Sequence, residues 1–211
     1  MEHYTKKGLY NSYDKNHKER DTLDYYATPP GETLNILNKL DLNFDNSIIL
    51  EPACGGGHMV KDIQQYLRDK NYKAKIIATD IHEHEQFCDF NKRVGLEYDF
   101  ISDNYPVEEK IDYIIMNPPF STIEPFTIRA LEIANKGVLM IARLQFLEGK
   151  GRYENILIDN PPSEIYVYVD RINCWKDGKV PQSSSAQAYA WFFWDKTINN
   201  TQTNVKWIRR I

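Results

Sequence analysis

The segments SIILEPA (47–53), KAKIIATDI (73–81), IDYIIM (111–116) and GVLMIA (137–142) each carry consecutive apolar residues rather than alternating ones. A strand sends neighbouring side chains to opposite faces, so an unbroken apolar run is a strand buried on both faces. Between these runs lie HMVKDIQQYLRDK (58–70), HEQFCDFNKRVG (84–95) and EPFTIRALEIAN (124–135), which read as helices, and a further strand is expected over EYDFISD (97–103). Strands alternating with helices predict a parallel sheet covered on both faces. The last third changes character: 163–172, 186–195 and 203–211 are strand-like with no helix between them, which implies antiparallel pairing at the far edge. The expected fold is α/β, with a largely parallel seven-stranded sheet, an antiparallel far-edge strand and helices on both faces.

At 211 residues the chain suits one domain, expected over 23–211, behind a polar arm over 1–22. That arm crowds Lys6, Lys7, Lys15, Lys18 and Arg20 among Tyr4, Tyr10 and Tyr13, although the net charge of −4 does not mark a nucleic-acid binder. No apolar run is long enough to cross a bilayer and the N-terminus has no apolar core, so no membrane association is expected. Cys54, Cys88 and Cys174 are an odd number at unrelated spacings, which points to a reducing cytoplasm. His82 and His84 flank Glu83, but their i, i+2 spacing does not put them on one helical face and no third ligand is apparent. No metal is expected.

Chemistry concentrates at the ends of the apolar strands. ILEPACGGGHM (49–59) ends a strand on Glu51 and opens a helix through a glycine cluster. Glycine lets backbone approach a ligand closely, at the strand ends where open parallel sheets bind ligands. It is neither a P-loop nor a full GxGxxG, and no basic residue stands beside it. Asp80 ends the next strand, where an acid can accept hydrogen bonds from ribose hydroxyls; Asp103 with Asn104 ends the one after, within reach of an amino group or merely starting a turn. Three successive strands ending in acids suggest a cofactor with ribose and adenine but little phosphate.

The fourth strand ends on Asn117-Pro118-Pro119-Phe120. With this tetrapeptide the set resembles the class I S-adenosylmethionine-dependent methyltransferases, and within them the DNA N6-adenine amino-methyltransferases, which carry D/N-P-P-Y/F/W after the fourth strand. The resemblance implies a Rossmann-like fold and S-adenosylmethionine as cofactor. It implies that the Asn117 side-chain oxygen and the Pro118 carbonyl accept hydrogen bonds from the target amine, while Pro119 stiffens the turn and Phe120 stacks on the base. It assigns Tyr26, Thr28 and Pro29 to the methionine end of the cofactor. Glu51, Pro52, Ala53, Cys54, Gly55 and Gly57 fall on the glycine motif, Asp80 and Ile81 on the ribose, Asp103 and Asn104 on the adenine, with Asn117 closing the site. Pro-Ala-Cys stands where Phe-x-Gly is commoner, and Cys54 is expected to be a core thiol.

The chain resembles small forms that lack a separate target-recognition domain, such as those of phages or mobile elements. Substrate contacts are therefore expected from the arm, from Arg143, Lys150 and Arg152, and from Trp175, Lys176 and Lys179 in the loop 173–185. DNA is the expected partner. An RNA base or a protein glutamine amide presents the same conjugated NH2, and a non-catalytic anti-restriction or partner-binding protein of this fold is a further alternative.

Overall fold

The computed structural model describes residues 25–84, 90–106, 110–182 and 187–211. The N-terminal arm, Cys88 and part of the 173–185 loop lie outside the described residues. In chain order the elements are β1 (Tyr26–Ala27), α1 (Glu32–Leu40), β2 (Ile48–Glu51), α2 (His58–Lys70), β3 (Lys75–Asp80), β4 (Lys92–Val94) and β5 (Tyr113–Met116). There follow α3 (Ile123–Ile133), β6 (Gly137–Arg143), β7 (Glu164–Tyr168), β8 (Trp175–Lys176), β9 (Tyr189–Asp195) and β10 (Asn204–Ile208).

The main sheet has eight strands rather than seven, in the order β10-β7-β9-β6-β5-β2-β3-β4. β2, β3, β4, β5 and β6 pair in parallel. The antiparallel strand is β9, which lies between β6 and β7, and β10 runs parallel to β7 outside it. Both faces are covered, as the continuous apolar runs require. In β6, Leu139 and Ile141 join Ile36 and Leu37 of α1 and Met59, Ile63 and Tyr66 of α2. Val138, Met140 and Ala142 instead join Phe126 and Ala130 of α3, and Ile156, on the other face.

Two local expectations give way. Within 84–95, residues Lys92–Val94 form β4 beside β3. Over 97–103 the chain makes a 3-10 turn, Leu96–Tyr98, and further turns instead of a strand. The neighbours Phe100 and Ile101 are both buried in the same cluster, which a flat strand cannot achieve because it sends them to opposite faces. Helix α1 is an addition. Its start is held by Asp62 of α2, whose carboxylate accepts the Gly31, Thr33 and Leu34 backbone N–H groups at 2.9–3.3 Å. Those donors have no partner inside a helix, so the carboxylate both caps α1 and fixes the turn that precedes it.

β2 has β3 on one side and β5 on the other, so the strand order reverses there. In an open α/β sheet that reversal leaves a crevice at the strands' carboxyl ends. β1 pairs with β8 as a separate two-stranded strap, Tyr26 opposite Lys176 and Ala27 opposite Trp175.

Candidate active site

A cleft whose space, counted out through its open mouth, is about 890 Å³ opens at this reversal, where open α/β sheets bind ligands. Of the residues singled out in the sequence, Tyr26, Thr28, Glu51, Pro52, Ala53, Cys54, Asp80, Ile81, Asn117 and Pro119 line it. Glu51, Asp80 and Asp99 put three carboxylic acids in the wall, and among the described residues no lysine or arginine lines it.

The glycine turn is built around Asp80. Its Oδ2 accepts the Gly55 N–H at 2.7 Å and its Oδ1 accepts the His82 N–H at 2.9 Å. Gly55 has φ +49°, and a Cβ there would stand 2.2 Å from Cε2 of Tyr25. Only glycine fits both the left-handed backbone and the ring pressed against it. The Tyr25 hydroxyl accepts the Gly56 N–H at 2.9 Å, and its ring packs on His84 at 4.2 Å. Gly57, with φ +83°, starts α2, and Lys92 Nζ donates to the Gly55 carbonyl at 2.7 Å. Gly55 and Gly57 therefore shape the cleft rather than line it.

Glu51 is 1% exposed, and its Oε2 has no hydrogen-bond partner among the described residues. Burial, and then the charge of Asp80, push its carboxyl well above the usual carboxylate range. An unpartnered acid oxygen in the cleft wall suits a cationic ligand. Cys54 packs with Val60 and Ala78, and burial pushes its thiol far up, so it is a core thiol.

Asn117 stands in the cleft wall, immediately after β5. Its Nδ2 donates to the Tyr26 carbonyl at 2.6 Å and to Thr28 Oγ1 at 3.1 Å, both on the segment that begins with β1. The prolines fix the backbone here without needing a donor. Pro118 is buried. Phe120 is half-buried and already engaged: the Arg143 guanidinium lies 4.1 Å from its ring centre and the Tyr26 ring 5.1 Å away.

Several expected contacts fall elsewhere. Asp103 and Asn104 are exposed and do not line the cleft; Asp99, with Phe100 and Ile101, takes that wall. The 3-10 turn Leu96–Tyr98 ends directly before Asp99, and it is this acid, not Asp103, that meets the cleft. Pro29 belongs to the turn before α1, where its carbonyl accepts the Glu32 N–H at 3.3 Å. Arg152 is not available to a substrate, because its guanidinium donates to the Phe146, Gln145 and Glu148 carbonyls and so holds the turn after β6. Arg143 packs on Phe120 rather than reaching outward. Lys150 is exposed and stands 3.7 Å from Glu154. Lys176 and Lys179 are exposed, and Trp175 meets His58 edge-on at 5.5 Å.

Tyr25, His58, Met59, His82, His84 and Asp99 line the cleft without having been assigned to it from sequence. For His82 the signal was its place two residues after Asp80. Among the described residues no group of three or more histidine, cysteine or acidic side chains could hold a metal ion, and no helix is long and apolar enough to cross a membrane.

No protein-family model matches the chain. Over 105 residues, 50% of its length, the chain is 30% identical to the Type II methyltransferase M.CvrRI of Paramecium bursaria Chlorella virus XZ-6E. It spans only 26% of that relative. Among solved structures it is similar to a protein assigned as a class I S-adenosylmethionine-dependent methyltransferase from Listeria monocytogenes, with TM-score 0.59 and 12% identity over 96% of this chain and 71% of that one. It is also similar to a modification subunit assigned to a type I restriction enzyme of Vibrio vulnificus YJ016, with TM-score 0.57 and 13% identity over 95% and 49% of the two chains. A protein assigned as an RNA methyltransferase from Pyrococcus horikoshii gives TM-score 0.55 and 18% identity over 92% and 100%. At these identities the likeness is one of architecture, and with the strand order and the cleft it places the chain in the fold of the class I S-adenosylmethionine-dependent methyltransferases.

Proposed function

We propose that this chain transfers a methyl group from S-adenosylmethionine to the exocyclic amino group of adenine in DNA. The observation that carries the reading is the joint wall of the cleft: three carboxylic acids with no lysine or arginine among the described residues, closed by Asn117 and Pro119. Such a wall suits a ligand with ribose hydroxyls and positive charge and disfavours one rich in phosphate. The half-chain likeness to a Type II methyltransferase supports the choice of DNA.

S-adenosylmethionine supplies the methyl group, carried on a sulfonium sulfur. Asp80 and Ile81 would hold the ribose, Asp99 and Phe100 the adenine, and Glu51, Tyr26 and Thr28 the methionine end. The Asn117 side-chain oxygen and the Pro118 carbonyl accept the two N–H groups of the target amine. Both acceptors favour a tetrahedral nitrogen, whose lone pair is then withdrawn from the ring and free to react. The nitrogen bonds to the methyl carbon as the S–CH3 bond breaks, leaving the neutral thioether of S-adenosylhomocysteine, and then sheds its extra proton to solvent. No strong base is needed before attack, so positioning and electrostatics carry the rate. Phe120 flanks the amine, and a base reaches this depth only when unpaired or flipped out of a duplex.

The test is transfer of labelled methyl from S-adenosylmethionine to deproteinised DNA lacking adenine methylation, followed by identification of the modified base. N6-methyladenine is expected. Label entering only RNA or only protein would overturn the assignment.

A second expectation follows from Glu51. Its carboxyl is raised in the free protein by burial and by Asp80. A cationic ammonium beside it lowers that pKa, so binding releases a proton and affinity climbs with pH until Glu51 is already ionised in the free protein. Calorimetry of S-adenosylmethionine binding in buffers of different ionisation enthalpy reads this directly. Glu51→Gln should abolish the proton release; release that persists in that variant assigns it to another group.

A further inference from the structure

We infer that Thr28 is a positioning residue that, together with the Tyr26 carbonyl, fixes which end of the Asn117 amide meets the substrate; this rests on the amine-methylation reading above. A primary amide has two ends of nearly equal shape and opposite hydrogen-bonding sense. Presented oxygen-first, Asn117 accepts from an amine. Turned by half a rotation about its last bond, it offers N–H groups to another donor and repels it. Nothing in the side chain itself prefers one orientation.

The strap supplies the preference. Asn117 Nδ2 donates to the Tyr26 carbonyl at 2.6 Å and to Thr28 Oγ1 at 3.1 Å, from positions 91 and 89 residues away in sequence. A backbone carbonyl only accepts, so the reversed amide would set oxygen against oxygen at Tyr26. The carbonyl is itself held in place, because Tyr26 pairs with Lys176 and the Asp177 N–H donates to the Tyr25 carbonyl at 2.9 Å. Thr28 is 2% exposed, so water does not readily replace its hydroxyl. The same arrangement accounts for an amide at position 117: a carboxylate there would press negative charge on the Tyr26 carbonyl.

Thr28→Val keeps the shape and removes the hydroxyl. It is expected to lower kcat on the order of tenfold to a hundredfold, the effect of losing one buried hydrogen bond to a reacting group. Thr28 also lines the cleft and is assigned to the methionine end of the cofactor. S-adenosylmethionine affinity is therefore measured alongside and kcat is read at saturating cofactor, which keeps any loss of binding out of the turnover comparison. Thr28→Ser should recover most of the turnover. A direct reading needs no substrate: the Asn117 side-chain NH2 signals in a proton–nitrogen correlation spectrum of the full chain, assigned by their loss in Asn117→Ala. They should exchange slowly with solvent in the parent and faster in Thr28→Val, with Thr28→Ala as a second variant if the valine protein does not fold. Rapid exchange in the parent, or an unchanged pair of signals in Thr28→Val or Thr28→Ala, overturns the inference. Parent protein inert towards every methyl acceptor would sink the proposed reaction instead, while the amide signals still decide the role of Thr28.

Discussion

Asn117→Ala is expected to cut methyl transfer about a hundredfold to a thousandfold while leaving S-adenosylmethionine affinity within about threefold. The side chain is tied to Tyr26 and Thr28, not to the Gly55–Asp80 turn, and in the proposed reaction its oxygen acts on the target amine rather than on the cofactor. Truncation removes an acceptor whose value is greatest as the nitrogen becomes tetrahedral, so the loss falls on kcat. It also strips the Tyr26 carbonyl and the Thr28 hydroxyl of a donor, which costs about 1–3 kcal/mol of stability if water does not replace it. Thermal unfolding of the variant beside the parent separates this cost from the catalytic one. Parent-like turnover in Asn117→Ala would show that the amine is held by something else.

Asp80→Ala should do the opposite, weakening cofactor binding on the order of a hundredfold with little effect on turnover at saturation. The effect is large because Asp80 has two tasks. It faces the cleft as a proposed partner of ribose hydroxyls, and its two oxygens hold the Gly55 and His82 N–H groups. Losing both backbone contacts orphans donors beside the cleft and frees a turn that depends on a left-handed glycine. Asp80→Asn keeps one acceptor oxygen and should fall between parent and alanine. Calorimetric titration with S-adenosylmethionine ranks the three, and parent-like affinity in Asp80→Ala would remove ribose recognition from this residue.

What the sequence disclosed was mostly what neighbouring residues decide. The apolar runs of β2, β5 and β6 announce burial on two faces, and Glu51, Asp80 and Asn117 reach the cleft because each closes a strand of that kind. Where the outcome depended on distant partners, the pattern misled. Asp99 and Asp103 stand four residues apart in one segment, and only the turn at Leu96–Tyr98 decides which enters the cleft. Arg152 reads as a free cation until three carbonyls from the turn after β6 surround it. Arg143 reads likewise until Phe120, which follows the neighbouring strand β5, comes beneath it. The role of Tyr25 was invisible because it arises from contact with a glycine turn thirty residues on.

The position of β9 also bears on how this chain assembles. β9 pairs with β6 over seven residues and with β7 over four, joining two strands that precede it in sequence. Until Tyr189–Asp195 has been synthesised, β6 and β7 therefore present two open edges to each other with the width of a strand between them. Unpaired edges of this kind are templates for misassociation, and closing them relies on contacts far apart along the chain, which slows folding. A nascent chain that has already made Glu51, Asp80 and Asn117 has these cleft-lining residues in hand but not the sheet. The aromatic strand YAWFFWD is the keystone, set between the two sides it joins, with the edge strand β10 following it in the chain.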